Sequence, residues 1–204
     1  METDKILGKF YSICGWFIKI IYLNLVWLFF SACGLIIFGL FPATFAMFAV
    51  TRKWIQRNED NHFFHLFLST FKKDFWKANL FGLIFSLIGI ALYLDIMIIQ
   101  SYEGVFAFYL FCFIIVICLL CFATLLFLLP LYVHIELSII QYFKQTFLIV
   151  FASPLNTVIM LGSVFLICLF FMIFSGLILF VAGSLISVIV TAIAHKSFRK
   201  LSVQ

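Results

Sequence analysis

Phe41-Pro42-Ala43-Thr44-Phe45-Ala46-Met47-Phe48-Ala49-Val50-Thr51-Arg52-Lys53-Trp54 is the stretch where this chain changes solvent. Ahead of it runs a long apolar segment whose one charge is Lys19. Directly after it comes the densest cluster of basic residues in the protein. Arg, Lys and Trp are the residue types that anchor a chain at lipid headgroups. The stretch therefore reads as the exit from a membrane span. Pro42 sits where a new helical piece can begin, Ala43 and Thr44 allow close packing, and Arg52, Lys53 and Trp54 act as interfacial anchors.

The rest of the chain agrees with a lipid solvent. It has 204 residues, 66% of them hydrophobic and 10% charged, where a soluble domain carries roughly 25% charged residues. A soluble fold of this length cannot bury so much apolar surface. The expected class is all-α, a polytopic helical membrane protein with about five transmembrane helices and several interfacial amphipathic helices. A β-barrel is excluded, because its strands alternate apolar and polar residues whereas residues 106–130 are apolar on every side. The net charge of +5 is not a nucleic-acid signal. The basic residues sit at the ends of apolar segments, and no basic face carries interleaved stacking aromatics. The six cysteines read as small hydrophobes. Cys118 and Cys121 share a helix face but have no His or carboxylate companion, so no metal or cofactor is expected.

Taken in order, the chain reads as a single membrane domain over residues 1–204. The expected spans are 17–41, 78–99, 105–133, 155–174 and 177–195, and the expected interfacial helices are 43–57, 62–76 and 134–150. In the first interfacial helix Ala43, Met47, Val50 and Trp54 share one face, and Asn58-Glu59-Asp60-Asn61 should end it. In the second, Phe64, Phe67, Leu68, Phe71 and Phe75 form an aromatic stripe opposite His62, His65, Ser69, Lys72 and Lys73. Both should lie along the headgroups or fold under the bundle. On the last span Gly176, Gly183, Ser187 and Thr191 form a packing seam.

Charge decides the orientation. Segments 51–77, 134–153 and 196–204 hold ten of the 13 Lys and Arg residues, which places them and the C-terminus on the cytoplasmic side of a bacterial plasma membrane. Five spans then put the N-terminus outside. The alternative is a hairpin or re-entrant segment over residues 16–50, broken near 39–42, with the N-terminus inside. A helix from Pro42 to Arg52 is too short to cross ~30 Å at ~1.5 Å per residue, so the five-span arrangement is preferred.

Few residues invite chemistry. Asp95 lies about one turn inside the outer end of the second span, where a carboxylate is costly and usually paired. In the five-span arrangement Lys19 lies at comparable depth, so Asp95 either pairs with Lys19 or, as an interfacial carboxylate, reaches water by itself. Asn24 reads as a hydrogen-bonding link between helices. His62 and His65 have no third ligand. His134 and Glu136 are spaced so that they face different ways. No H-E-x-x-H, G-x-S-x-G or phosphate-binding glycine loop is present, and no enzymatic activity is expected.

Pro42-Ala43-Thr44-Phe45-Ala46, running into Val50-Thr51-Arg52-Lys53-Trp54, resembles the YesL family of bacterial membrane proteins, a domain of unknown function. Leu23-Asn24-Leu25-Val26-Trp27, Gly82 and Gly89 followed by Leu92-Tyr93-Leu94-Asp95, and Pro130 with its amphipathic continuation are similar to the same family. The family usually has Gly at the position of Phe41. Its members are often encoded beside carbohydrate ABC transporters and polysaccharide-degrading enzymes. The resemblance therefore implies a role in sugar uptake, without supplying catalytic residues. The expected function is that of a non-enzymatic accessory subunit. Its partners would be the lipid bilayer and ABC-type sugar transporter subunits, with no nucleic acid and with a homo-oligomer compatible. The alternative is a small permease or channel with Asn24, Asp95 and Lys19 lining its route.

Overall fold

The computed structural model describes residues 2–56 and 62–201. Its first two helices, α1 (Glu2–Cys33) and α2 (Ile37–Ile55), are separated by a reversal at Gly34-Leu35-Ile36. The backbone of the turn ends α1 in a specific way. The Ile36 N–H donates to the Ser31 carbonyl at 3.0 Å and the Leu35 N–H to the Ala32 carbonyl at 3.1 Å, the nested pair of bonds that closes a Schellman motif. That motif places one residue in the left-handed region, usually glycine. Here Leu35 occupies it at φ 58° and Ile36 follows at φ 63°, both strained conformations for residues with a Cβ. Glycine does its work on either side of the turn. A Cβ on Gly34 would overlap the backbone of Gly39, and a Cβ on Gly39 would meet the carbonyl oxygens of Ser31 and Phe30.

The two helices then run antiparallel in contact. Trp27 Nε1–H donates to Thr44 Oγ1 at 3.1 Å, and further from the turn the rings of Trp16 and Trp54 lie 6.0 Å apart. The start of α1 and the end of α2 therefore share one end of the molecule. This corrects the expected span over 17–41, which breaks at 34–36; the chain turns back as in the hairpin weighed as the alternative, but ahead of the expected break near 39–42. Pro42 lies inside α2 and does not begin a helix. The length argument against a hairpin fails because α2 begins at Ile37. Its 19 residues extend about 28 Å at ~1.5 Å per residue.

The expected interfacial helix over 43–57 is likewise corrected. α2 is the centre of the protein and packs against α1, α3 (Phe63–Lys73), α4 (Phe75–Ile99), α5 (Val105–His134) and α8 (Gly183–Leu201). Ala43 and all of 45–51 are buried. Ala43, Met47, Val50 and Trp54 fill one apolar cluster with Leu23 and Phe67, while Phe45 and Phe48 fill a second with Phe81 and Phe127. The helix is thus apolar all round, the pattern of a buried helix. Arg57 and the polar run 58–61 lie outside the described residues.

The remaining elements follow the sequence closely. They are α4 (Phe75–Ile99), α5 (Val105–His134), α6 (Ile139–Ala152) and α7 (Pro154–Ile173), then a 3₁₀ turn (Ser175–Leu177), a π turn (Ile178–Ala182) and α8 (Gly183–Leu201). α3 folds against the bundle instead of lying along a surface. Phe63 meets Tyr22 at 5.2 Å, and Phe67 and Phe71 lie 5.3 and 5.2 Å from Phe30. The helix expected over 134–150 starts at Ile139, where the Ser138 N–H donates to Gln141 Oε1 at 3.2 Å in a capping box. Gly82 is required by the Phe41 ring, which any Cβ there would overlap. This contact joins α2 to α4. Among the described residues, five helical segments are long and apolar enough to cross a membrane: Cys14–Cys33, Phe75–Ile99, Val105–His134, Pro154–Ile173 and Ser175–Phe198. The protein is a multi-pass, all-α membrane protein in which α2 is an additional, interior helix.

Gly39→Leu should destabilise the protein by on the order of 3 kcal/mol, because the obstructing atoms are backbone and the core cannot yield. Gly89→Ala, at a position with nothing within 4 Å of an added Cβ, should leave stability unchanged or raise it by up to about 1 kcal/mol. Thermal unfolding in detergent micelles measures both.

Candidate functional site

A group of basic side chains gathers at one end of the bundle. The end of α2, the α3–α4 corner and the end of α5 with its link to α6 enclose a cavity of about 330 Å³ there. Arg52 and Lys53 reach it from α2, Lys73 and Asp74 from the α3–α4 corner, Lys77 from the first turn of α4, and Glu136 from the link. Four cations thus face two carboxylates. Tyr132 and Tyr142 supply hydroxyls to the same space.

Helix ends explain why these groups meet. The last carbonyls of α5 have no partners within the helix. Arg52 Nη1 donates to the Val133 carbonyl, placing a cation at the negative end of α5. The Tyr142 hydroxyl donates to the Ile135 carbonyl at 2.6 Å and accepts from the Leu137 N–H at 3.0 Å. Two side chains from other elements therefore complete a helix terminus that lies under the bundle. Burial pushes the Tyr142 phenol above its ordinary range.

Glu136 is already engaged: Lys73 Nζ lies 2.9 Å from its Oε1. Asp74 lines the same cavity as Tyr132. The Glu136 hydrogen bond raises Lys73 above the usual lysine range, and the same bond lowers Glu136 below the usual carboxylate range. Because the folded value of Glu136 is depressed, its contribution is present at neutral pH and is lost as pH falls through that lowered value. The Lys73 contribution is lost as pH rises through its raised value. Both side chains are exposed, so solvent screens the pair. The Arg52 Nε–H, by contrast, is buried and has no hydrogen-bond partner.

Of the residues singled out in the sequence, Arg52, Lys53, Lys73 and Glu136 reach this cavity, and Asn24, Lys19, Asp95, Pro42, Ala43, Thr44 and Trp54 do not line it. Asn24 is buried and couples α1 to α8. Its Nδ2 donates to the Leu179 carbonyl at 2.6 Å, and its Oδ1 accepts from the Ser184 N–H at 3.0 Å. The π turn over Ile178–Ala182 leaves backbone groups off the regular helical ladder, and Asn24 satisfies them. Gly183 is needed at this contact, since an added Cβ would lie 2.9 Å from Asn24 Oδ1. The expected seam is real at Gly183, Ser187 and Thr191, where Thr191 Oγ1 lies 3.3 Å from Thr51 Oγ1. Gly176 has nothing within 4 Å of an added Cβ.

The Asp95–Lys19 pair is not formed. Trp16, just before Lys19, packs beside Trp54 at the basic end. Asp95 is exposed on α4, 18 residues (about 27 Å at ~1.5 Å per residue) beyond Lys77, which lines the basic cavity. The two were placed together only by the five-span arrangement, and Asn24, Lys19 and Asp95 line no common route. Pro42, Ala43 and Thr44 are helix-packing residues. Thr44 accepts from Trp27 and donates to the Leu40 carbonyl at 2.7 Å. Trp54 is packed against Trp16 and Phe63 and is not an exposed anchor. His134 lies by His195 and Phe198, with ring centroids at 6.2 and 5.4 Å, while Glu136 turns to Lys73, so the two form no relay. Among the described residues no group of three or more His, Cys, Asp or Glu is placed to hold a metal ion.

Sequence reasoning missed the cavity because its members come from four separate segments. One signal was available. Arg52, Lys73 and Lys77 each lie within a few residues of a helix end, where basic side chains meet carbonyls or headgroups.

The family described as "Protein of unknown function, DUF624" matches residues 20–96. Three proteins of Bacillus subtilis (strain 168) are similar over most of their length. "Uncharacterized protein YesL" is 35% identical over 92% of this chain and 88% of its own. "Uncharacterized protein YteU" is 37% identical over 92% and 84%. "Uncharacterized protein YesV" is 34% identical over 100% and 98%. No solved structure matches the chain. The chain belongs to the YesL family, which carries the DUF624 domain.

Asn24→Leu should cost about 2–4 kcal/mol, because it strands a buried carbonyl and a buried N–H together. Asp95→Asn should change stability by less than about 0.5 kcal/mol, as expected for an exposed position. Unfolding titrations in mixed micelles distinguish the two.

Proposed function

We propose that this member of the YesL family is a non-enzymatic accessory protein of the bacterial plasma membrane, docking to a larger membrane complex through its basic end. The observation that carries the reading is the separation of charge along the bundle. Arg52, Lys53, Lys73 and Lys77 line one end. The turns at the other, 34–36, 100–104 and 174–177, contain no Lys or Arg. By the positive-inside rule the basic end is cytoplasmic, and the hairpin then puts the start of α1 there too. The docking surface is the outward side of α3 and α6 with the α5–α6 link. Residues 45–51 of α2 are buried and take no part in it. The partner class, subunits of an ABC-type sugar transporter, rests on the gene neighbourhoods that the family resemblance implies. A small permease is the competing reading, and it loses support because Asn24, Lys19 and Asp95 do not converge.

An affinity-tagged chain extracted from its native membrane in mild detergent should bring down ABC permease or ATPase subunits. Lys72→Glu with Lys144→Glu, both exposed at the basic end, should reduce that recovery several-fold. Recovery of the chain alone or only as a homo-oligomer, or sugar transport by the purified chain in proteoliposomes, would contradict the proposal.

A further inference from the structure

We infer that the groove between α4 and α5 is a binding site for one hydrocarbon chain of a lipid, in the half of the membrane away from the basic end. The groove has a volume of about 300 Å³. Its α4 wall is Phe85, Ile88, Gly89, Leu92, Tyr93 and Ile96, a set at helical spacing that forms one stripe along the helix. Its α5 wall, from Cys118 to Leu125, repeats that spacing. The groove therefore runs lengthwise between two spans, parallel to the chains of a bilayer. Thiols pack as small hydrophobes, so apart from the Tyr93 hydroxyl the lining side chains are apolar.

Depth places the groove in hydrocarbon. Along α4, Phe85 and Ile96 lie about 12 and 28 Å beyond Lys77 at ~1.5 Å per residue, in a membrane whose apolar core is about 30 Å thick. Toward the basic end the same two helices join the core through Phe81 and Phe127. Gly89 marks the site independently. Glycine is the poorest helix former after proline, and an added Cβ here would meet nothing within 4 Å. Gly82 makes room for the Phe41 ring and Gly39 for backbone, but no contact within the chain requires Gly89. It leaves a notch one turn from Phe85 on one side and from Tyr93 on the other.

Size selects the occupant. Spread over the roughly 10–16 Å of helix that lines it, the volume is that of a channel about 5 Å across. A file of carbon atoms that touch at ~4 Å fits such a channel. A helix with its side chains, about 10–12 Å across, does not, and a single side chain from a partner fills only part of the length. The inference does not rest on the docking reading, since α4 and α5 alone form the groove.

The test places full-length protein in phosphatidylcholine nanodiscs doped with a phosphatidylcholine that carries a photoreactive diazirine midway along one chain. After irradiation the labelled residues are located by mass spectrometry. Residues 85–96 and 118–125 should carry at least five-fold more label than Phe165 and Leu166, which are exposed on α7. Gly89→Leu, at a position with free space around an added Cβ, fills the notch. It should lower the label in the groove at least five-fold while leaving the labelling of α7 unchanged. Cys118→Phe, which fills the groove from α5, should act in the same direction. Equal labelling of the groove and α7 would mean ordinary contact with bulk lipid and would overturn the inference. Groove labelling that neither variant reduces would overturn it as well. In a variant that keeps Cys121 alone, copy-to-copy cross-linking by a short bifunctional thiol reagent would give the groove to a second copy, with the same consequence.

Discussion

The structure depends on the reversal at Cys33–Ile37. Without it, α1 and the segment after it form one long apolar rod, and the residues from 43 onward leave the membrane as a surface helix. With it, α2 returns through the middle of the protein, and α1, α4, α5 and α8 all pack against it. The reversal is demanding. A Schellman ending forces Leu35 into the left-handed region, and the two arms close only because Gly34 and Gly39 bring backbone against backbone. The strain, of order 1–3 kcal/mol per residue, is offset by the burial that α2 achieves. Phe45 alone stacks on Phe81 at 6.0 Å and meets Tyr132 edge-on at 4.6 Å, and truncating such a side chain costs about 3–5 kcal/mol.

From that return follows the polar chemistry at the basic end. α2 carries Arg52 to the terminus of α5, where unpaired carbonyls need donors. The guanidinium completes this helix end, and with it α2 lines the cavity between α3, α5 and the α5–α6 link. Asn24 plays the equivalent part at the π turn before α8, but there every donor and acceptor described is used within the protein, which makes it a clasp and not a site.

The helices after residue 75 were legible in the sequence, since their apolar runs have the length of a bilayer and end at Gly104, Pro154 and Ser175-Gly176. So were the interhelical role of Asn24 and most of the small-residue seam on α8. The break at 34–36 was not legible. The expected marker of a left-handed helix ending is glycine in the left-handed position itself, and here Gly34 lies one residue early while Leu35 takes the conformation. Pro42 then drew the boundary to itself, although a proline is also tolerated inside a helix packed by neighbours. The burial of α2 was hidden for a related reason. A face containing Ala43, Met47, Val50 and Trp54 reads as amphipathic against Arg52 and Lys53, but Phe45, Phe48 and Ala49 on the other side are buried as well. The cavity required four elements to meet, which no local pattern encodes.

The most direct test of the hairpin is proximity between residues that a straight first span holds apart. In a variant lacking the native cysteines, Trp16→Cys with Trp54→Cys should cross-link rapidly with a short bifunctional thiol reagent in native membranes, as should Trp27→Cys with Thr44→Cys. The ring contact of 6.0 Å and the hydrogen bond of 3.1 Å between these pairs predict both. Efficient labelling of each single cysteine with no cross-link in either pair would show that α2 does not return along α1, and the account built on it would fall.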